Sequence, residues 1–217
     1  MTKEEKLQKF LGTLKGDDTV EAVVLFGSYA RGNSRPDSDI DLVVILKEGY
    51  KRAVEYHDNQ TYEIIYTTEN EATKYWEEHK QESVRFWKIA KVLFGRNGAQ
   101  ERLEEFGAKL IKETPPPVDE STRMHLQFDF EDTINAIERI KDTDPATAAL
   151  LLYEKTAMLI DIFFDLRGEW RTAPKQQLKE ILERDPKIGE LFQDFYRTEV
   201  FASKLEVSKR IGVLIFI

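Results

Sequence analysis

The segment that most constrains the fold is Ile40–Leu46, an apolar run rich in β-branched residues. Apart from Asp41, both sets of alternating residues in this run are apolar, so a strand formed here has two apolar faces. Such a strand must be covered on both sides, as a central strand of a layered sheet is. A second apolar run, Ala22–Phe26, and a hairpin predicted around Asp58-Asn59 supply its neighbours. We therefore predict a mixed sheet flanked by helices.

Three consecutive prolines, Pro115–Pro117, divide the chain, because proline removes backbone donors and stops a helix. We predict one domain over residues 1–113 and a second over residues 118–217. The second contains no convincing strand, and helix starts of the Asp-Pro type occur at Asp144-Pro145 and Asp185-Pro186. The expected fold class is α+β, in which the sheet domain is followed by an all-α helical bundle.

Helical periodicity also occurs within the first half. Thr68 and Glu71 have the spacing of a capping box and predict a helix start. A further helix is predicted to end near Gly95, on the spacing of Val84, Trp87, Ile89 and Val92. The chain ends in the apolar segment Gly212–Ile217, which fits a packed helix, a strand or a contact between two copies of the chain.

Composition excludes several functional classes. The chain has no cysteine, and its three histidines are scattered, so thiolate chemistry and zinc knuckles are excluded and carboxylates are the expected metal ligands. A net charge of −8 argues against binding long nucleic acids. There is no apolar stretch long enough to cross a membrane, and the charged N-terminus lacks the apolar core of a signal peptide. We expect a soluble, cytoplasmic protein that binds neither membranes nor long nucleic acids.

Two short motifs carry the candidate chemistry. Gly27 and Ser28 follow a predicted strand, where glycine lets the backbone approach a ligand and the following amides can bind an anion. Asp39 and Asp41 are two residues apart, so a strand directs both to the same face. On a buried strand this pair of like charges is costly unless a cation neutralises it. The alternatives are an ordinary turn at Gly27, a turn capped by Asp39, and an Asp41 solvated at the strand end.

The spacing of these motifs resembles that of a known family. Gly27-Ser28, ten intervening residues and then Asp39-Ile40-Asp41-Leu42 are similar to the signature of the polymerase-beta-type nucleotidyltransferase superfamily, in the form found in small stand-alone and antibiotic-modifying members. Arg31-Gly32 and Ser38 agree with the extended pattern. The strong resemblance covers residues 22–46, and a looser one extends to about residue 113.

The resemblance implies a site. Gly27 and Ser28 would hold the triphosphate, with Arg31 and Ser38 also in the nucleotide site, and Asp39 and Asp41 would hold Mg²⁺. The third carboxylate of the family lies on a later strand. Glu63 is at the matching position, as third metal ligand or general base, although many relatives have aspartate there. The alternative is that Glu63 is a hairpin residue facing water.

Tyr153-Glu154-Lys155 lies on a predicted long helix, and Arg167-Gly168-Glu169-Trp170 and Pro174-Lys175 follow it. Through these residues the helical half more loosely resembles the C-terminal bundle of aminoglycoside-type nucleotidyltransferases. Glu154, Asp161 and Asp165 lie on one stripe of a predicted long apolar helix. This stripe would attract a cationic substrate or supply a base, and Glu154 is a second candidate for activating the acceptor. The alternative is a solvated helix face.

We therefore expect a magnesium-dependent nucleotidyltransferase. It would move a nucleoside monophosphate from a nucleoside triphosphate, with ATP expected, to a hydroxyl of a small-molecule acceptor, antibiotics included. One alternative is an antitoxin-like nucleotidyltransferase that binds or nucleotidylates a helical partner protein. Another is a degenerate domain that binds nucleotide without turnover. Oligomeric state is left open, a homodimer included.

Overall fold

The computed structural model describes all 217 residues and consists of two compact units, residues 1–113 and 114–217. The first unit contains all five strands, and the second is entirely helical. The predicted α+β fold class is therefore confirmed. The division into a nucleotidyltransferase domain of residues 1–113 and a helical bundle domain of residues 118–217 stays a prediction.

The first unit contains, in chain order, α1 (Lys3–Gly16), β1 (Val20–Phe26), α2 (Gly27–Arg31), β2 (Ile40–Leu46), β3 (Lys51–His57), β4 (Gln60–Thr68), α3 (Glu69–Glu78), α4 (Lys80–Trp87), β5 (Lys91–Gly95) and α5 (Ala99–Leu110). The second unit contains α6 (Glu120–Ile140), α7 (Pro145–Asp165), α8 (Pro174–Arg184), α9 (Pro186–Arg197) and α10 (Phe201–Phe216).

The five strands form one mixed sheet in the order β3-β4-β2-β1-β5. β2 is the middle strand, parallel to β4 and antiparallel to β1. Its residues Leu42 to Ile45 are at most 4% exposed, which confirms that both of its faces are covered. The predicted hairpin is also confirmed. β3 and β4 are joined through Asp58 and Asn59, both with positive φ (51° and 56°), as a two-residue turn of the primed type requires.

Different elements cover the two faces of this sheet. On one face, α1 contributes Leu7 and Phe10 to an apolar core that includes Leu42 of β2. The other face carries Phe26 of β1, whose ring centroid lies 5.0 Å from that of Phe86 on α4. Asp41 pairs with Phe26 in the β1–β2 register and therefore lies on this second face.

The helix predicted to run from Val84 past Val92 is wrong beyond Trp87. α4 ends at Trp87, and Val92 lies in β5, which pairs antiparallel with β1. Backbone hydrogen bonding explains the difference, because β5 gives β1 a second neighbour and so satisfies polar groups that an edge strand leaves unpaired.

In the second unit, the Asp-Pro helix starts are confirmed. The Asp144 carboxylate accepts a hydrogen bond from the Thr147 amide at the start of α7, and Asp185 caps α9 in the same way. The C-terminal apolar segment is the last part of helix α10, with Phe216 only 7% exposed in the core of the unit. None of the helices combines the length and the apolar character that crossing a membrane requires.

Candidate nucleotide and metal site

Three carboxylates converge on one face of the sheet. Asp39 directly precedes β2, Asp41 is the second residue of β2, and Glu63 pairs with Asp41 across the parallel β2–β4 register. One carboxylate oxygen from each of the three lies within 4.8 Å of the others, and all three residues are partly buried. The structure therefore brings together the three residues predicted as metal ligands.

Gly27 lies directly against this cluster. Its φ is +74°, and a Cβ built there would lie 1.7 Å from Oδ2 of Asp41. The β1–β2 register causes this approach, because Asp41 pairs with Phe26, the residue before Gly27. No side chain fits at position 27 without moving Asp41, and only glycine adopts this φ at little cost.

The segment after Gly27 has features of an anion site. Gly27 opens the short helix α2, whose N-cap residue Phe26 offers no side-chain hydrogen bond. The first amides of a helix have no carbonyl partner within that helix, so they can donate to an oxyanion. Ser28 is in this first turn and partly buried, while Arg31 is exposed in the last turn.

Ser38 shapes the loop that leads to Asp39. Its hydroxyl accepts a hydrogen bond from the Arg35 amide at 2.9 Å. Its carbonyl accepts from Nζ of Lys3 at 2.7 Å and from Nε2 of the buried Gln60 at 3.1 Å. Three parts of the chain therefore fix the backbone before Asp39, and a contact between Ser38 and nucleotide stays a prediction.

Helix α1 also holds the residue after Ser28. The Tyr29 hydroxyl donates to Oε2 of Glu4 at 2.6 Å. Burial, together with this hydrogen bond, raises the pKa of Tyr29 to about 12, while the same bond lowers the pKa of Glu4. The contact therefore joins a neutral phenol to a charged carboxylate.

The donor set fits a divalent cation. Three carboxylates this close repel one another, and a bound cation would offset that cost. Carboxylate oxygens are the ligands that Mg²⁺ prefers, usually together with water and substrate phosphates. Asp39, Asp41 and Glu63 are thus able to hold one.

The sequence match agrees with this geometry. Residues 4–142 match the family described as "Nucleotidyltransferase domain". The chain belongs to the nucleotidyltransferase domain family. This match confirms the predicted resemblance to polymerase-beta-type nucleotidyltransferases. It also confirms that the chain is an enzyme, since the family is one of transferases.

Two curated relatives come from Methanocaldococcus jannaschii, and both are named putative protein adenylyltransferases. The chain is 46% identical to one over 54 residues, 24% of this chain and 36% of that protein. It is 36% identical to the other over 47 residues, 21% of this chain and 47% of that protein. The chain thus matches less than half the length of each relative.

A solved structure shows the same fold over nearly the whole chain. It is a nucleotidyltransferase-like protein from Exiguobacterium sibiricum, with a TM-score of 0.52 and 11% sequence identity. The match covers 98% of this chain and 74% of that chain. At this identity the likeness supports the fold of the nucleotidyltransferase and nothing about its substrates.

Sequence reasoning missed one residue that contacts the carboxylates. Nη2 of Arg52, on β3, donates to Oε1 of Glu63 at 3.0 Å. A signal was present in the sequence, because a two-residue turn at Asp58-Asn59 sets Val54 opposite Glu63 and leaves Arg52 diagonal to it on the same face.

In the structure, an arginine offsets part of the negative charge of the acidic stripe predicted on α7. Nη1 of Arg171 donates to Oδ2 of Asp161 at 2.8 Å, and its Nε donates to Oδ1 of Asp165 at 2.9 Å. One guanidinium therefore bridges both aspartates and offsets one of their two negative charges. Glu154 is exposed on α7, and its role as a base stays a prediction.

Proposed function

We propose that the chain transfers a nucleoside monophosphate, AMP in the first instance, from a nucleoside triphosphate to a hydroxyl group in a magnesium-dependent reaction. The observation that carries this proposal is the convergence of Asp39, Asp41 and Glu63 beside Gly27. The relatives named as adenylyltransferases support ATP as the donor. We assign this chemistry to a domain of residues 1–113 and place it in the cytoplasm, where ATP and Mg²⁺ are available.

In the proposed reaction, the acceptor oxygen forms a bond to the α-phosphorus of ATP, and the bond from that phosphorus to the bridging oxygen breaks. Pyrophosphate leaves with the electrons of the broken bond. Asp39, Asp41 and Glu63 hold the cation, which neutralises charge on the phosphates when bound. The amides after Gly27 and the Ser28 hydroxyl bind the triphosphate, and Arg31 and Ser38 complete the nucleotide site. Catalysis is then mostly positioning and electrostatics.

The acceptor proton needs a base, for which the chain has two candidates. Glu63 is at the carboxylate cluster, and Glu154 is on the helical domain of residues 118–217. Glu154→Gln should keep ATP and Mg²⁺ affinity while losing about 10²–10⁴ in turnover if Glu154 is the base. If Glu63 is a metal ligand, Glu63→Gln should lose metal affinity as well.

Two acceptor classes are proposed. The names of the M. jannaschii relatives favour a protein hydroxyl, and an antitoxin-like pairing with a helical partner protein is one form of it. A small molecule with a hydroxyl, including an antibiotic, is the second class, from the resemblance to antibiotic-modifying enzymes.

One labelling experiment tests both classes. The chain is incubated with Mg²⁺ and ATP labelled at the α-phosphate, with an aminoglycoside and metabolite panel in one arm and fractionated cell proteins in the other. We expect covalent label in one arm only, lost on chelation of the metal. ATP labelled at the γ-phosphate is the matched control and should label nothing, because that phosphate leaves in pyrophosphate. Label from the γ-position would show a kinase-type reaction, and the absence of both ATP binding and transfer would contradict the proposal.

A further inference from the structure

The contact between Arg52 and Glu63 connects an edge strand to the metal site. Arg52 is on β3, which has β4 as its only strand neighbour, and its side chain is 62% exposed. Its Nη2 donates to Oε1 of Glu63 at 3.0 Å, and one carboxylate oxygen of Glu63 lies within 4.8 Å of oxygens of Asp39 and Asp41. The guanidinium therefore restrains a carboxylate that belongs to the cluster with Asp39 and Asp41.

Folding stability gives little reason for this contact. The Glu63 side chain is 43% exposed, and exposed ion pairs contribute little to stability because solvent screens them. The contact matters more for the geometry of the carboxylate cluster than for folding stability. The three carboxylates carry a formal charge of −3, and a long glutamate among them is free to rotate away from its like-charged neighbours unless something holds it. The hydrogen bond from the Arg52 guanidinium restrains the position of this carboxylate.

We infer that Arg52 is a positioning residue for the metal site, holding Glu63 in the arrangement that binds the cation. The inference rests on the proposed function only in assuming a divalent cation at Asp39, Asp41 and Glu63. A positioning role predicts the opposite change in cation affinity from the one that charge repulsion alone predicts. Removing a nearby positive charge by itself strengthens cation binding, whereas removing the group that orients a ligand weakens it.

The test measures Mn²⁺ binding to the full chain without nucleotide, by electron paramagnetic resonance, with Mg²⁺ as competitor. In Arg52→Gln we expect the Kd for Mn²⁺ to rise about tenfold, the lower end of the effect of losing a partner of a metal ligand. Arg52→Lys should recover part of the loss, because it keeps the charge without the planar fork of donors.

The matched control is Lys51→Gln, which removes the same charge from the neighbouring residue. Lys51 lies on the other face of β3, where its Nζ is 3.8 Å from Glu55 and 5.6 Å from the centre of the Tyr66 ring. Its loss should leave the Kd unchanged or slightly lower it. In a Glu63→Gln background, Arg52→Gln should no longer raise the Kd, since the carboxylate that Arg52 positions is gone.

Two failures are distinguishable. If Arg52→Gln binds Mn²⁺ as tightly as the unmodified chain or more tightly, or weakens it equally in the Glu63→Gln background, the positioning role is wrong while the proposed function stands. If the unmodified chain itself binds no Mn²⁺, the metal site and the proposed function fail together.

Discussion

Asp39 and Asp41 in the first unit and Asp161 and Asp165 in the second are both pairs of aspartates that share one face of an element. At the start of β2 the spacing is two residues, and on α7 it is four, which match the repeats of a strand and a helix. In the first unit a third carboxylate, Glu63, joins the pair, with oxygens of all three within 4.8 Å of one another. In the second unit the guanidinium of Arg171 binds both aspartates.

The comparison shows what decides the role of an acidic pair. Sequence spacing predicts that two carboxylates share a face, whereas the residue that meets them there comes from another part of the fold. A further carboxylate makes the group a candidate for a cation. A guanidinium satisfies the pair internally and makes it part of the structure of the helical unit.

The largest expected difference between the two pairs appears when one carboxylate is removed from each. Asp41→Asn should reduce AMP transfer by at least about 10³-fold and abolish the magnesium dependence of ATP binding, because cation stabilisation of the phosphates contributes several kcal/mol. Asp161→Asn, the matched change in the other pair, should alter neither. Calorimetric titration with ATP and Mg²⁺ and a transfer assay measure both. Unchanged metal affinity in Asp41→Asn would remove the distinction between the two groups.

Adding a methyl group at position 27, beside Asp41, tests the same comparison by a change at a glycine rather than at a carboxylate. Gly27→Ala and Gly32→Ala both place alanine at positive φ, +74° and +80°, at about 1 to 2 kcal/mol of strain each. Only at Gly27 does the new Cβ overlap a carboxylate, since nothing lies within 4 Å at Gly32. We expect the larger loss of unfolding free energy, measured by chemical denaturation, in Gly27→Ala, because its Cβ must also displace Asp41. AMP transfer should fall about a hundredfold in Gly27→Ala alone, as for a displacement of about 1 Å. Equal activity in the two variants would contradict a role for the close approach.

In the second unit, Arg171→Gln leaves Asp161 and Asp165 without their shared guanidinium. All three side chains are partly exposed, so solvent screening limits the expected loss of unfolding free energy to about 1 kcal/mol. In denaturation experiments, the difference in unfolding free energy between Arg171→Gln and the unmodified chain should become smaller at high salt. Mn²⁺ affinity should stay the same, and a change in it would show that the second acidic pair also acts on the metal site.

The smallest effect concerns a single carboxylate, Glu4, whose pKa is lowered by the hydrogen bond from Tyr29. A lowered pKa in the folded state adds stability above the unfolded value, about 4.3, and this stability is lost as the pH falls through the folded value. Tyr29→Phe should therefore cost a few tenths of a kcal/mol at pH 7, with the difference shrinking below about pH 4. Denaturation at several pH values measures it. A difference that grows with acid would contradict the assignment.

Features set by nearby residues could be predicted from the sequence. The Asp58-Asn59 hairpin, the Thr68 capping box and the Asp144 cap each depend on residues within a few positions, and the structure shows all three. The carboxylate cluster could also be predicted, because the period of a strand sets the first two members and the resemblance indicated the third.

Features set by distant partners could not be predicted. Val92 fits a helical spacing, but it belongs to β5 because β1, about seventy positions earlier in the chain, offers its free edge. The pairing of Asp161 with Arg171 likewise depends on how the chain returns after α7. Local pattern contains no information about which of several possible partners the folded chain brings close.

The close approach of Gly27 to Asp41 also has a thermodynamic consequence. The loop that would receive phosphate and a carboxylate that would receive the cation are in direct contact, so displacement of either is transmitted to the other through the backbone at position 27. We expect the two ligands to bind cooperatively. Linkage then requires reciprocity: the factor by which Mg²⁺ raises the affinity for ATP equals the factor by which ATP raises the affinity for Mg²⁺. The nucleotide and the ion would then bind as a pair, and Gly27 would be the residue that couples their two binding sites.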